Sequence, residues 1–255
     1  MDKIHKIYKL LKVYLRQSIY SLVNKKVKRY ELIYYFPKWF FKNILGQGTL
    51  GDRKPWLVFS AIRKMDKITN MGMKVFEFGS GGSTLFFVDK GCTVNSVEHD
   101  AAWFNKVSTE IKSEGWAGFL KVPNTLDNKI MKVKIPPHDS YYDEKSDTDP
   151  FLYLSNMSKY SDLCFKDYVT CIDVYPDDYF DIVLIDGRAR NSCWIHSREK
   201  IKHGGYLVLD NSDRKNYSRI LQEVKELGWR EFIFYGPGPY ETVFWETRIW
   251  QKPLS

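Results

Sequence analysis

The chain has 255 residues, a formal net charge of +8 and a hydrophobic fraction of 44%. This length fits one large domain with an extension, and the apolar content excludes an intrinsically disordered chain. No apolar run approaches the roughly 20 residues of a membrane span, and lysines interrupt the N-terminus too often for a secretory signal. The four cysteines are scattered without a paired motif, which favours a reducing cytoplasm.

The positive charge is concentrated at the start of the chain. Before residue 44 there are eleven basic and two acidic residues, a net charge of +9, so that the remainder is close to neutral. A nucleic-acid enzyme would carry its basic residues around the catalytic cleft. We therefore expect no nucleic-acid partner.

Residues 1–55 form a basic N-terminal extension, and residues 3–23 within it fit an amphipathic helix. One face of this helix is aliphatic, whereas lysines occupy the other. The aliphatic residues are Ile4, Ile7, Leu11, Leu15, Ile19 and Leu22. This pattern suits peripheral contact with an anionic membrane. The alternative is a helix that packs on its own domain or on a partner subunit, including a second copy of the chain.

Residues 74–84 predict a short buried strand, a glycine-rich loop and the start of a helix. Val75, Phe76 and Phe78 supply the strand, and the loop reads Gly79-Ser-Gly-Gly-Ser83. Glycines at a strand-to-helix turn allow positive φ and let a ligand approach the backbone closely. The helix start also presents unpaired N–H groups.

A second strand, Thr93–Val97, is followed by Glu98, His99 and Asp100. In a doubly wound sheet this places the Glu98 carboxylate beside the glycine loop, where it can accept hydrogen bonds from ribose hydroxyls. Glu77, two residues before Gly79, would repel a pyrophosphate but suits a cationic ligand. The two segments together indicate a nucleoside-binding crevice for a positively charged ligand.

These segments resemble motif I and the ribose-binding acid of the class I S-adenosylmethionine-dependent methyltransferases. The resemblance covers roughly residues 56–250 and implies a methyltransferase domain at 56–255. It also implies that S-adenosylmethionine is the cofactor. The residues expected to bind it are Glu77, Gly79, Ser80, Gly81, Gly82, Ser83, Glu98, His99, Asn124 and Asp186.

Beyond Asp100 we expect a helix from 101 to about 113, a third strand near 119–122, and Asn124 at the cofactor edge. Residues 127–165 lack clear periodicity and form an insertion that contains His138. A loop of this length is more often functional or disordered than neutral. We interpret it as a lid near the acceptor, with surface disorder as the alternative.

The rest of the chain predicts the second half of the sheet. Residues 180–186 and 206–211 read as strands, with a helix through Ile201 that ends at Gly204 and Gly205. A helix at about 217–227 and two strands without an intervening helix follow. The predicted fold is a Rossmann-like, doubly wound seven-stranded sheet, mostly parallel with an antiparallel C-terminal hairpin, and the hairpin is typical of the methyltransferase family.

Asp186, Asp210 and Asn211 end neighbouring strands, so their oxygens are expected to converge. Such a set suits Mg²⁺. It also resembles, position by position, the metal ligands of the cation-dependent O-methyltransferases. The alternative is that Asp210 and Asn211 cap the next helix and turn.

A hydroxyl acceptor needs a base, for which Asp186 is best placed and His196 is a second candidate. Arg188 and Arg190 follow Asp186 and are predicted, with His138, to bind an anionic acceptor. The alternative for the arginines is a salt bridge to Asp186 or Asp210.

We therefore predict O-methylation of a small or sugar-like acceptor in the cytoplasm. The first alternative is a catalytically silent methyltransferase-like adaptor at the membrane surface. The second is a nicotinamide oxidoreductase, which would require a pyrophosphate to tolerate Glu77.

Overall fold

The structure is a computed structural model, which describes residues 3–45, 48–126, 149–155, 157–160 and 162–254. The helices are α1 (Lys3–Val23), α2 (Arg29–Leu45), α3 (Gly48–Asp52), α4 (Phe59–Ile68), α5 (Gly82–Asp89), α6 (Ala101–Glu110), α7 (Lys166–Val169), α8 (Arg190–Ser197) and α9 (Ser218–Glu226). The strands are β1 (Lys74–Phe78), β2 (Thr93–Glu98), β3 (Trp116–Leu120), β4 (Asn124–Thr125), β5 (Leu163–Cys164), β6 (Phe180–Ile185), β7 (Ile201–Asp210), β8 (Arg230–Gly236) and β9 (Trp245–Gln251).

Seven of these strands form one sheet in the order β3-β2-β1-β6-β7-β9-β8. The pairs from β3 to β7 are parallel, whereas β9 runs antiparallel to both β7 and β8. The chain order reverses between β1 and β6, which is where ligands bind in open α/β sheets. The predicted doubly wound sheet with an antiparallel C-terminal hairpin is confirmed.

Apolar clusters cover both faces of the sheet because β1 and β6 alternate between them. Phe76, Phe78 and Ile185 pack on one face with Tyr168 and Trp194. Residues of the opposite phase, such as Val75 and Leu184, pack on the other face with helices α4 and α5. This two-sided burial explains why the β6 sequence reads as a continuous apolar run.

The N-terminal hairpin of α1 and α2 packs on the C-terminal part of the chain. Tyr14 and Trp39 are buried against Phe244, and the Trp39 indole donates a hydrogen bond to the carbonyl oxygen of Glu241 (2.9 Å). The α1 helix has the predicted bounds, but its buried residues are not those of the aliphatic face. They are Leu10, Tyr14 and Ser21.

Three elements differ in their bounds from the sequence prediction, the first being the third strand, which is β3 at Trp116–Leu120 rather than near 119–122. The helix predicted to run through Ile201 is α8, which ends at Ser197, because β7 begins at Ile201 and runs through Gly204, which adopts φ +76°. The helix after Asp100 ends at Glu110 rather than near 113. Most of the predicted lid, residues 127–148, lies outside the described residues, whereas β5 within its last part pairs with β4.

Candidate active site

The glycine loop joins the end of β1 to the start of α5. Gly79 has φ +101°, in the region that favours glycine, and a Cβ atom there would lie 3.3 Å from the Cα of Gly187. The N–H of Gly81 donates to Oγ1 of Thr84 (2.9 Å) and closes the first turn of α5. The structure thus places the predicted loop residues in one continuous strand-to-helix turn: Gly79, Ser80, Gly81, Gly82 and Ser83.

Glu98 ends β2 and binds the loop through its carboxylate. Oε2 accepts a hydrogen bond from the N–H of Ser80 (3.1 Å), and Oε1 accepts from the N–H groups of His99 (2.7 Å) and Asp100 (2.9 Å). Burial acts to raise the pKa of Glu98, but the interactions with His99 and these N–H groups outweigh it and lower the pKa. The two predicted halves of the cofactor site are therefore joined by an ionised carboxylate.

Aromatic side chains that the sequence analysis did not select surround this network. The Trp103 indole donates to the carbonyl oxygen of Ser80 (2.7 Å), and His99 Nε2 lies 3.0 Å from the hydroxyl of Tyr160. The Tyr160 ring in turn lies 5.2 Å from the guanidinium carbon of Arg188. Trp103 could have been predicted from sequence, since it is the third residue of a helix capped by Asp100, whereas Tyr160 lies in the last part of the predicted insertion at 127–165.

Glu77 is fully buried, and neither carboxylate oxygen has a hydrogen-bond partner among the described residues. Burial raises the pKa of Glu77 to about 8, a shift that the hydroxyls of Ser83 and Thr84 oppose and the charge of Asp186 reinforces. A ligand cannot touch a side chain that exposes no atom. In this conformation Glu77 presents no surface for the ligand contact predicted for it.

Arg190, at the start of α8, joins the ends of β6 and β7 and is 6% exposed. Its Nη2 donates to Oδ1 (2.9 Å) and to the carbonyl oxygen (2.7 Å) of Asp186, and its Nε donates to the carbonyl oxygen of Gly187 (3.1 Å). Its Nη1 donates to the carbonyl oxygen of Asp210 and lies 3.5 Å from Oδ1 of Asn211. The salt-bridge alternative is therefore the one formed, and Arg190 has no donor left for an anionic acceptor.

Asp210 directs its carboxylate towards β9 rather than towards a metal. Its Oδ1 accepts hydrogen bonds from the indole of Trp245 (2.8 Å) and the hydroxyl of Thr247. Burial raises the pKa of Asp210 to about 7, and the charge of Asp186 adds to the effect.

The predicted magnesium ligands do not fit a divalent cation. The guanidinium of Arg190 already lies between Asp186 and Asn211, and the Asp210 carboxylate is engaged by two donors. In the part of the chain that the structure describes, no group of three or more His, Cys, Asp or Glu side chains is placed to hold a metal ion. The structure does not support the predicted site at Asp186, Asp210 and Asn211.

A cavity of about 640 Å³ opens at the carboxyl ends of β6 and β7. Asp186 lines it, with the basic side chains of Arg188, Arg214 and Lys215. Aromatic rings of Trp56, Tyr217 and Trp245 also contribute to the wall. Its volume suits a small molecule, and its polar groups are those at the ends of neighbouring strands.

Comparison with known proteins gives matches in structure only. No protein-family model matches the chain, and no curated protein sequence matches it significantly. The O-methyltransferase TomG of Streptomyces achromogenes, solved with S-adenosylmethionine, is similar with a TM-score of 0.52 and 9% identity, over 81% of this chain and 90% of TomG. A protein from Corynebacterium glutamicum is similar with a TM-score of 0.53 and 7% identity, over 89% of this chain and 99% of that protein. The chain has the fold of the class I methyltransferases.

Only part of the predicted site lines the cavity of this methyltransferase fold. Among the described residues, Asp186, Arg188, Arg190, Asp210 and Asn211 do so, whereas Glu77, the glycine loop, Glu98, His99, His196 and Asn124 do not. His196 does not line it: Nδ1 lies 2.9 Å from Asp173, and Nε2 lies 3.3 Å from the hydroxyl of Tyr153. We therefore do not assign His196 as a base. Asn124 is exposed in β4, and its amide donates to Asp167 (3.2 Å). His138 lies outside the described residues.

Proposed function

We propose that the protein is an S-adenosylmethionine-dependent methyltransferase that methylates a hydroxyl group of a small, anionic or sugar-like acceptor. The observation that carries this proposal is the joined network of the glycine loop and Glu98 at the switch point of the sheet, where Gly79 lies against Gly187 of the cavity wall. An ionised acid beside a glycine-rich strand-to-helix turn suits the ribose of a nucleoside cofactor. The fold shared with TomG supports the same cofactor class.

Methyl transfer is an in-line displacement at a sulfonium carbon, so the protein acts mainly by positioning the reactants and excluding water. Asp186 lines the cavity with a side chain that is 31% exposed, and Arg190 engages its Oδ1. Burial raises the pKa of Asp186, while Arg190, Arg188 and Arg214 oppose the shift. We assign Asp186 as the base that removes the acceptor hydroxyl proton, since a raised pKa makes a carboxylate a stronger base.

The side chains of Arg188, Arg214 and Lys215 favour an acceptor with a phosphate or carboxylate group. Arg188 keeps the role predicted for it, whereas Arg190 acts through Asp186 by holding it in place. All four cysteines are free thiols, which is consistent with a reaction in a reducing cytoplasm.

Calorimetry on the full chain tests the cofactor. We expect S-adenosylmethionine and S-adenosylhomocysteine to bind and NAD not to bind. Binding of NAD alone would overturn the proposal. Ser80→Pro is a suitable variant, because it removes the N–H that Glu98 accepts, and Ser113→Pro, in the exposed turn after α6, is its control.

Mass spectrometry then identifies the acceptor. The protein is incubated with labelled S-adenosylmethionine and either small-molecule extract or RNA, and the label is located. We expect label in an anionic small molecule, in amounts unchanged by a chelator because Arg190 lies where a metal would bind. Label in RNA would refute the acceptor class, and cofactor binding without any product would favour the adaptor alternative.

A further inference from the structure

Helix α1 has three distinct faces, of which only one packs on the protein. Leu10, Tyr14 and Ser21 form the buried face. The aliphatic stripe lies beside it and remains in solvent, although a helix of a monomeric protein normally buries such a stripe. Its exposed members are Ile4 (74%), Ile7 (37%), Leu11 (42%), Leu15 (63%) and Ile19 (55%). Nothing in the described part of the chain covers this face.

The second helix of the hairpin also exposes apolar side chains at helical spacing. Ile33 is 76% exposed, Phe41 is 59% exposed and Leu45 is 72% exposed, together with Tyr30 and Tyr34. Exposed apolar residues are common singly, but a series of them along two adjacent helices marks an interaction surface. We call this surface the hairpin face; it consists of the α1 stripe and the exposed apolar residues of α2.

Basic residues adjoin the hairpin face. Lys12 and Arg16 are exposed and directly follow Leu11 and Leu15 in sequence. Three further lysines lie in the connection between α1 and α2, namely Lys25, Lys26 and Lys28. With a net charge of +9 before residue 44, two copies of this surface would repel each other. An apolar stripe with adjacent Lys and Arg side chains instead matches a negatively charged lipid surface.

We propose that the hairpin face docks the protein onto an anionic lipid bilayer, with the α1 stripe inserted at the level of the headgroups and Lys12 and Arg16 against the lipid phosphates. No helix in the described ranges is long and apolar enough to cross a bilayer, so the hairpin lies along the surface. The docking itself is independent of the methyl transfer proposed above, and only the location of the acceptor rests on it.

Docking would bring the cavity close to the membrane. Trp39 of α2 donates to the carbonyl oxygen of Glu241, and Glu241 lines the cavity. A second link runs from Lys42 through Asp52 to the hydroxyl of Tyr240 (3.0 Å from Asp52 Oδ2). A protein held by its hairpin face would therefore take its acceptor at the membrane surface.

Co-sedimentation of the full chain with lipid vesicles tests the proposal. Vesicles of phosphatidylcholine are compared with vesicles containing about one third phosphatidylglycerol, where we expect about tenfold stronger partitioning. Raising the salt from about 0.1 M to about 0.5 M should weaken partitioning about tenfold, because the Debye length shortens. The double variant Leu15→Glu with Ile19→Glu should weaken it by about tenfold or more.

Matched control variants distinguish a loss of docking from a general effect of added negative charge. Val174→Glu with Leu227→Glu changes two exposed apolar residues elsewhere (81% and 48% exposed) and should bind as the unmodified chain does. The double variant Lys12→Glu with Arg16→Glu tests the basic residues of the hairpin. Its control is the double variant Lys106→Glu with Lys112→Glu, which changes the net charge by the same amount on the neutral part of the protein. Circular dichroism confirms that each variant is folded.

Three results would overturn the proposal. These are equal binding to neutral and anionic vesicles, full binding by the stripe variant, and equal losses in the two charge variants. Light scattering adds a further test: a dimer that the stripe variant dissociates, without vesicle binding by either protein, would show that the hairpin face joins two copies of the chain.

Discussion

The carboxyl ends of β1 and β2 and those of β6 and β7 lie at the same edge of the sheet but are built differently. At the first pair of strands Glu98 accepts hydrogen bonds from the N–H of Ser80, 18 positions earlier, and from the N–H groups of His99 and Asp100 directly after it. At the second pair, Asp210 binds Trp245 and Thr247 of β9, which lie 35 and 37 positions later. The first region is therefore specified by local sequence order, whereas the second depends on how a distant strand pairs with β7.

The two regions also differ in charge. Glu98 has a lowered pKa and acts as an ionised acceptor. Asp186, which is partly exposed, and Asp210, which is buried, have raised pKa values, and one guanidinium, that of Arg190, holds the strand ends together. The second region thus replaces the expected metal ion with a side chain of the protein itself.

Removing that guanidinium should produce the largest effect. Arg190→Met leaves the Asp186 carboxylate and several carbonyl oxygens without their donor, and we expect a loss of about 3–5 kcal/mol in the free energy of unfolding. Urea denaturation measures it. The control is Arg198→Met, whose guanidinium is half-exposed beside Glu223 and should cost about 1 kcal/mol or less. Equal losses would show that Arg190 is not a specific clamp.

A second prediction concerns Glu77 and pH. Because its folded pKa is raised to about 8 from 4.5, the folded state retains a proton that the unfolded state releases, so stability falls as pH rises between these values. Glu77→Gln should reduce the pH dependence of the free energy of unfolding. At pH 9 the variant should be more stable than the unmodified chain by about 2 kcal/mol or more. A smaller pH dependence of stability should remain in the variant, because the pKa of Asp210 is also raised.

The control for this titration is Glu110→Gln at the exposed end of α6, which should keep the full slope. Denaturation at several pH values gives the comparison. An unchanged slope in Glu77→Gln would mean that Glu77 is ionised in the folded protein.

The glycine loop, Glu98 and the C-terminal hairpin were predictable because they follow from turn chemistry and hydrophobic patterning near each residue. The hydrogen bond that the Asp210 carboxylate accepts from the Trp245 indole could not be predicted, because nothing near Asp210 in sequence indicates that contact. For Glu77 the charge was read from sequence, but its complete burial depends on tertiary packing.

The third prediction concerns Glu98, at the carboxyl end of β2. Glu98→Gln replaces one acceptor oxygen by a donor, which cannot satisfy the N–H of Ser80 as well as those of His99 and Asp100. We expect a stability loss of about 1–2 kcal/mol and about tenfold weaker binding of S-adenosylmethionine. Calorimetry measures the affinity, with Glu110→Gln again as the control. Full affinity in the variant would separate Glu98 from the cofactor site.

The smallest effect should come from two tryptophans that each donate one indole hydrogen bond. Trp103 donates to the carbonyl oxygen of Ser80 (2.7 Å) in the loop, and Trp116 donates to the hydroxyl of Ser96 (2.8 Å) on β2. Each change to Phe should cost about 1 kcal/mol in stability, since one hydrogen bond is lost in each case. Only Trp103→Phe should also weaken S-adenosylmethionine binding, by about fivefold, because only its bond holds the loop. Equal affinities for the two variants, measured by calorimetry, would show that the position of the loop depends on Glu98 and not on the indole.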